Sequence, residues 1–296
     1  MIRRTGLAVL ATVLLAGASP VSAQLEDNLS AYSDPEGYLK PLQEAFGQAL
    51  NSNLFTTAAI PRQGLTARLE IKAMSVFFGD SDKTFTATTG GDFTPVQEVE
   101  APTVVGSEQS VAVSGDGGTQ YVFPGGFDLS SLTVGVPQLT VGGIMGSEVA
   151  VRYIAFDTGD AEIGDINLFG IGARHSISQY LVGFPVDLAA GLYYQTFKLG
   201  DDLIDAKAFT IGAQASRSFG PLIAYGGLSY DTFSMDAQYT DKSGTESLEV
   251  DVSLDSANTL HLTAGAALSL GGIVHLNLGA DIANMTGVAA GLGFGF

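Results

Sequence analysis

From Leu65 onward the chain alternates. Leu65, Ala67, Leu69, Ile71 and Ala73 fall on one side of an extended backbone, and Thr66, Arg68, Glu70, Lys72 and Met74 fall on the other. Successive side chains of a strand point to opposite faces, so a period of two gives one apolar and one charged face, whereas a helix would scatter the charges around its circumference. The pattern returns over Leu260–Leu270, where His261, Thr263, Gly265, Ala267 and Ser269 oppose the apolar set. It returns again over Val274–Ile282, where His275, Asn277, Gly279 and Asp281 oppose it. The chain closes with Val288, Ala290, Leu292, Phe294 and Phe296 alternating with Ala289, Gly291, Gly293 and Gly295. Comparable runs cover Leu132–Val141, Glu148–Asp157, Asp165–Ser176, Val186–Leu199, Lys207–Ser218 and Leu222–Thr232.

Segments of about ten residues with apolar-out, polar-in alternation are the length a tilted strand needs to cross a bilayer. Strands of a soluble β-sandwich run to about half that length and carry more Lys and Glu outside. Here the non-apolar face is largely Gly, Ala, Ser and Thr. The pattern predicts an all-β, antiparallel transmembrane β-barrel over residues 62–296. Short connections at Gly142–Gly146, Ser178–Phe184, Gly220-Pro221 and Gly271-Gly272 alternate with longer acidic ones at Gly79–Ser131, Thr158–Gly164, Gly200–Asp205 and Asp241–Ala257. That alternation matches periplasmic turns and external loops. Both ends of the barrel then lie on the periplasmic side, which demands an even strand number. The count is ten, one strand before the long loop 79–131 and nine after it. Strand-like fragments inside that loop (Thr84–Thr88, Ser110–Val113, Gln120–Phe123) read as a small external hairpin, and as extra strand pairs they would give twelve or fourteen.

Composition narrows the classes. The 296 residues include 38 Gly and no Cys, and 13 Lys plus Arg face 31 Asp plus Glu, for a formal net charge of −18. The acidic balance speaks against nucleic acid as a partner. Absence of Cys removes disulfides and thiolate chemistry. Loop 79–131 holds eight acids against Lys83, and Asp241–Ala257 holds five against Lys242, while Arg62, Arg174 and Arg217 fall near expected periplasmic ends. The acids read either as a negative vestibule or as solvated loops that meet lipopolysaccharide or ions.

Residues 1–23 form a leader. Arg3 and Arg4 precede an apolar core, Leu7–Ala16, and Val21-Ser22-Ala23 supplies a small-residue site for cleavage between Ala23 and Gln24. The mature charge falls to −20 with the two Arg removed. Export to the bacterial outer membrane is the implied destination, with membrane lipid and the barrel-assembly machinery as partners.

Residues 24–61 are not strand-like. Asp34-Pro35-Glu36 reads as a helix start, and Pro41 as an interruption that opens a second helix with Leu42, Ala45, Phe46, Ala49 and Leu50 on one face. Such a helix, with Leu42, Phe46 and Leu50 as its plug face, could lie in the lumen, at the periplasmic mouth or on the membrane surface. Lys40, nearly alone, gives no cationic face for surface binding.

The run Gly37-Tyr38-Leu39-Lys40-Pro41-Leu42, with Phe46-Gly47, Leu50-Asn51 and Leu54–Ala58, resembles the N-terminal segment of an uncharacterised outer-membrane barrel family. Leu168-Phe169-Gly170-Ile171-Gly172-Ala173-Arg174-His175-Ser176-Ile177 and Pro185–Gly191 resemble it too. The plan of that family is similar to that of the long-chain fatty-acid outer-membrane transporters, with a helical piece in or beside the barrel. The resemblance implies passive transport of a small or apolar solute. The terminal Phe296 resembles the aromatic residue by which assembly machinery recognises its clients.

Candidate lumen-lining residues are Arg68, Glu70, Lys72, His261, His275, Asn277 and Asp281. A Ser–His–Asn/Asp lipid-modifying set from Ser269, His261, His275, Asn277 and Asp281 is conceivable, but no G-x-S-x-G signature occurs and the two His are offset along their hairpin. Asp157, Asp160, Glu162 and Asp165 could hold Ca²⁺ loosely but lack a calcium-loop spacing. No cofactor is implied, and the expectation is a barrel that is not an enzyme. A passive transporter and a non-conducting structural or surface-interaction barrel remain open, and the state of the lumen separates them. The inward Gly265, Gly279, Gly291, Gly293 and Gly295 make room for the N-terminal helix or a conduit, or else accommodate tight curvature.

Overall fold

The computed structural model describes residues 28, 29, 32, 35–157, 164–200, 204–241, 248–255 and 259–296. The expected leader with its Ala23/Gln24 junction and positions 158–163 of the acidic loop lie outside the described residues. Strand β1 (Thr66–Phe77) is followed by two small hairpins, β2 (Thr84–Thr88) with β3 (Glu98–Pro102), and β4 (Val111–Ser114) with β5 (Gln120–Phe123). Then come β6 (Ser131–Ile144), β7 (Ser147–Asp157), β8 (Asp165–Ser176), β9 (Asp187–Leu199), β10 (Ile204–Phe219), β11 (Leu222–Asp241), β12 (Leu248–Asp255), β13 (Thr259–Leu270), β14 (Val274–Ile282) and β15 (Thr286–Gly295).

Neighbouring strands run antiparallel, and pairing of β1 with both β15 and β6, and of β10 with β11, closes the ring. β11 pairs with β13 over Leu222–Asp231 and with β12 over Ser234–Asp241, so β12 and β13 form one interrupted staple beside it. The barrel therefore has ten strands. β2 to β5 pair only within their own hairpins, so the long connection adds two hairpins where one was expected, and no barrel strands. The turns after β6, β8, β10 and β13 mark one end of the barrel, the turn end; the long connection after β1 marks the other, the loop end. The Ala67 N–H donates to the Phe296 carbonyl and the Phe296 N–H to the Ala67 carbonyl, both at 3.0 Å, fixing the last residue to the start of β1 at the turn end.

The period of two sorts the wall. Leu69, Ile71, Leu262, Leu278 and Leu292 are exposed outward, while Glu70, Lys72, His261, Asn277 and Asp281 are buried inside. Exposed Phe77 and Phe156 sit near the loop end, and Phe219, Phe294 and Phe296 near the turn end, as in the aromatic girdles of membrane barrels.

Inside the barrel runs helix α1 (Pro35–Asn51). It enters at the loop end, where the Tyr38 carbonyl accepts from the Val104 N–H at 2.9 Å. Residues 52–61 continue toward the turn end, where the Arg62 carbonyl accepts from the Met145 N–H at 2.9 Å. Pro41 does not divide α1 into two helices. It lies in the second turn and forfeits only the bond to the Gly37 carbonyl, a loss that packing on all sides overrides. Phe46 meets Phe197 and Phe233 edge-on with centroids 4.9 and 5.9 Å apart, and Leu50 is fully buried. The opposite faces are enclosed as well: Gln43 Nε2 donates to the Leu254 carbonyl at 2.5 Å and Gln48 Nε2 to the Met285 carbonyl at 3.1 Å.

The inward glycines make room for side chains of the wall itself rather than for the helix or a conduit. A Cβ on Gly265 or Gly279 would collide with the Tyr225 hydroxyl, one on Gly293 with Glu70, and one on Gly291 with Asn277. They vacate space for side chains of adjacent strands, not for the helix. Placing Arg at Leu278, mid-strand and 66% exposed, puts a charge where lipid belongs. Leu278→Arg is expected to cost about 2–4 kcal/mol of barrel stability, read as a lower denaturant midpoint in refolding into lipid vesicles.

Candidate functional site

Hydrogen-bond register builds a girdle around the lumen. Glu70 stands opposite Gln138, Gln138 opposite Arg152, Arg152 opposite Gly170, and Gly170 opposite Gln195, so five adjacent strands present one level. Gly170 leaves the room that the Gln195 side chain occupies. Lys72, one inward position further along β1, completes the set.

This girdle grips the end of α1. The last carbonyls of a helix have no partners within it and carry its negative end. Arg152 Nη1 donates to the Leu50 carbonyl at 2.9 Å, and its Nη2 reaches those of Ser52 and Asn53 at 3.0 and 3.2 Å. Lys72 Nζ donates to Asn53 and Leu54 at 2.8 and 3.3 Å, Gln138 Nε2 to Leu54 at 2.8 Å, and Gln195 Nε2 to Leu50 at 2.7 Å. Asn53 takes φ +51°, a left-handed turn that Asn tolerates and that ends the helix. Lys72 and Arg152 are 0% exposed. Glu70 shares Oε2 between Lys72 at 3.7 Å and Arg68 at 3.1 Å, which offsets part of that buried positive charge.

Nearer the turn end, Arg174 Nε meets Glu148 Oε1 at 2.6 Å, Nη1 donates to Gln214 Oε1 at 2.6 Å, and the guanidinium lies 4.2 Å over the Phe55 ring. Beside it, between the plug and strands β8 to β11, is a cavity of about 80 Å³ lined in part by Asn51, Asn53, Phe55, Arg174 and Gln214. A smaller one of about 30 Å³ lies toward the loop end beside Glu44, Gln48 and Asp231. Among the described residues, the lumen thus holds small pockets beside the plug.

His261 stands near both cavities. Its Nδ1 is 2.6 Å from Asp231 Oδ2 and its Nε2 3.2 Å from Asp281 Oδ1, with Thr263 Oγ1 donating to Asp281 at 2.9 Å and Ser229 Oγ to Asp231 at 2.8 Å. Both ring nitrogens therefore face carboxylates, and neither faces a hydroxyl that could act as nucleophile. His275 sits away from this cluster, opposite Ser269 and Gly293, so the two His do not form one site. The Asn277 amide is buried without a hydrogen-bond partner. Among the described residues no group of three or more His, Asp and Glu side chains converges on a metal-sized point.

Aromatic side chains cluster at the loop end. Tyr32 stacks on Tyr38 at 4.9 Å and packs near Phe85 and Phe123, and the Tyr38 hydroxyl donates to the Gly125 carbonyl at 3.2 Å. Burial pushes both phenols up, so they stay neutral donors. Of the expected lumen residues, Glu70 and Lys72 join the girdle and Arg68 adjoins it, His261 and Asp281 form the carboxylate cluster, and His275 and Asn277 join neither. The sequence alone does not single out Gln138, Glu148, Arg152, Gln195 or Asp231, and it marks Arg174 only as lying near a periplasmic end. Alternation puts each on an inner face, but only strand register shows which share a level.

Replacing Arg152 strips donors from three carbonyls at once. Arg152→Met is expected to cost about 3 kcal/mol or more and to speed chymotrypsin cleavage after the buried Phe46 at least fivefold, followed by mass spectrometry of the intact barrel.

Comparison with solved structures returns outer-membrane barrels. Outer membrane protease OmpT from Escherichia coli aligns with a TM-score of 0.33 at 10% identity, covering 80% of this chain and 98% of that one. The translocator domain of the autotransporter NalP from Neisseria meningitidis gives 0.26 at 12% identity, covering 97% and 99%. The Ralstonia pickettii toluene transporter TbuX gives 0.21 at 9% identity, covering 79% and 89%. TM-scores this low transfer no property of the three. No curated protein matches the sequence significantly. The model of the family of unknown function DUF6588 matches residues 3–296, and the chain belongs to that family.

Proposed function

We propose that the protein is an outer-membrane barrel that passes a small polar solute through its lumen, with its own N-terminal segment as the gate. One observation carries this reading: the wall behind the plug is charged. Glu70, Lys72, Glu148, Arg152 and Arg174 are all buried there, and Lys72 and Arg152 are held by plug carbonyls. Water can take over those bonds when the plug shifts, because a polar wall exchanges one set of hydrogen bonds for another at small net cost. An apolar wall would lose its packing instead. The resemblance to fatty-acid transporters implies an apolar solute; the polar lining favours a polar one.

The outward apolar belt with aromatic edges supports a place in the outer membrane, with lipid as its surroundings. Export through the leader Met1–Ala23 and recognition of Phe296 by the assembly machinery belong to the same reading. The aromatic cluster of Tyr32, Tyr38, Phe85 and Phe123 over the loop end favours a second reading, a barrel that never conducts and acts through its acidic loops.

The chain has no Cys, so a plug lock can be built without interference. Thr57 Oγ1 and Ser216 Oγ lie 3.3 Å apart, which suits a Thr57→Cys/Ser216→Cys disulfide between plug and β10. In liposome-swelling assays with urea and glycerol, the oxidised double variant is expected to pass solute at least fivefold more slowly than its reduced form. Wild type should be indifferent to reductant. Absence of flux above empty liposomes in wild type and in the reduced variant would overturn the conduit and leave the structural barrel.

A further inference from the structure

We propose that the cavity between the plug and strands β8 to β11 is a binding site for a small neutral hydrogen-bonding solute, a diol or an amide of about four heavy atoms or fewer. This deepens the conduit reading, on which it rests for the solute's way in. The size follows from the volume. About 80 Å³ holds roughly two or three waters at ~30 Å³ each, or one molecule of that bulk.

The chemistry follows from what the cavity leaves unpaired. Arg174 Nη2, Asn51 Oδ1 and Asn53 Oδ1 are buried polar atoms without hydrogen-bond partners, and all three residues line this one cavity. Each is more than nine-tenths buried. Buried polar groups in folded proteins are nearly all paired, so three orphans around one space mark the positions of a ligand's polar atoms. The Asn53 amide is oriented by its own Nδ2, which donates to the Ala290 carbonyl at 3.1 Å, so its oxygen is the end left as an unpaired acceptor.

Charge excludes ions. Glu148 already meets Arg174 at 2.6 Å, so the guanidinium offers its unpaired Nη2 and little uncompensated charge. An anion would accept from Nη2 but confront two amide oxygens. A cation would suit the oxygens but confront the guanidinium. A neutral solute with one acceptor and two donors satisfies all three, and the Phe55 ring supplies surface for its C–H groups.

The space is kept by absent side chains. A Cβ on Gly227 would lie 3.3 Å from the Ala213 carbonyl, a contact the wall absorbs by a slight shift, and the rest of a larger side chain would enter the cavity.

The test is saturation-transfer NMR on purified full-length protein in micelles, titrated separately with ethylene glycol, urea, acetate and methylammonium. Saturable transfer to ethylene glycol or urea is expected, with at least fivefold weaker binding of both ions. Arg174→Lys keeps the charge beside Glu148 but removes Nη2, and Gly227→Val fills the space. Each should weaken neutral-solute binding tenfold or more in protein whose heat-modifiable mobility shows a folded barrel. Unsaturable transfer from both neutral solutes, meaning that water alone fills the cavity, would overturn the site. So would ions binding as well as the neutral solutes, or folded variants binding like wild type. Solute flux without saturable binding would overturn the site and leave the conduit; saturable binding without flux would do the reverse.

Discussion

The structure depends on a helix ending in the middle of a membrane barrel. The C-terminal end of α1 brings unpaired carbonyls and a partial negative charge into a space closed to bulk water, where leaving them unmet is costly. Arg152 and Lys72 answer from the wall, and Gln138 and Gln195 complete the set. Each side depends on the other. Without the plug, two buried cations would need water; without the cations, the helix would need another end. The wall and its filling are therefore one hydrogen-bonded unit, although they are far apart in sequence.

The plug is held differently along its length. At the loop end its contacts are apolar and aromatic, with Tyr38 among Tyr32, Phe85 and Phe123, and Phe46 against Phe197 and Phe233. Past Leu50 they become polar, and residues 52–58 lean on Lys72, Arg152, Gln138 and Ser216. Apolar packing gives water nothing to replace, whereas hydrogen bonds can be exchanged with it. The outer half thus has the character of a core and the inner half that of a polar interface, and both cavities border the stretch where one gives way to the other.

Glycine links wall to lumen in a way composition does not reveal. Gly170 opens space for Gln195, Gly293 for Glu70, Gly142 for Glu148, and Gly191 for Arg174. In each case a long polar side chain lies across a neighbouring strand at a glycine and reaches inward. A narrow barrel can carry a charged girdle only if alternate positions on adjoining strands are empty, because interior side chains compete for the same volume.

Much of this was written in the local pattern. Alternation at Leu65–Met74 or Val274–Ile282 assigns each side chain to lipid or interior without reference to the rest of the chain, because the strand period is a property of the backbone. Strand boundaries, the even count of ten and the enclosed faces of Lys72 and His261 follow from that. The helix was legible in kind but not in extent: Pro41 is a breaker in isolation and a tolerated residue when walls hold the helix. Register was not legible at all. That Gln138, Arg152 and Gln195 stand level with Glu70, and that Asp231 and Asp281 flank His261, depends on how far each strand slides against the next, which closure of the ring decides. Sequence determined which side of the wall each residue occupies; tertiary structure decided which of them meet, since pairing offset is a property of the whole barrel and not of any strand.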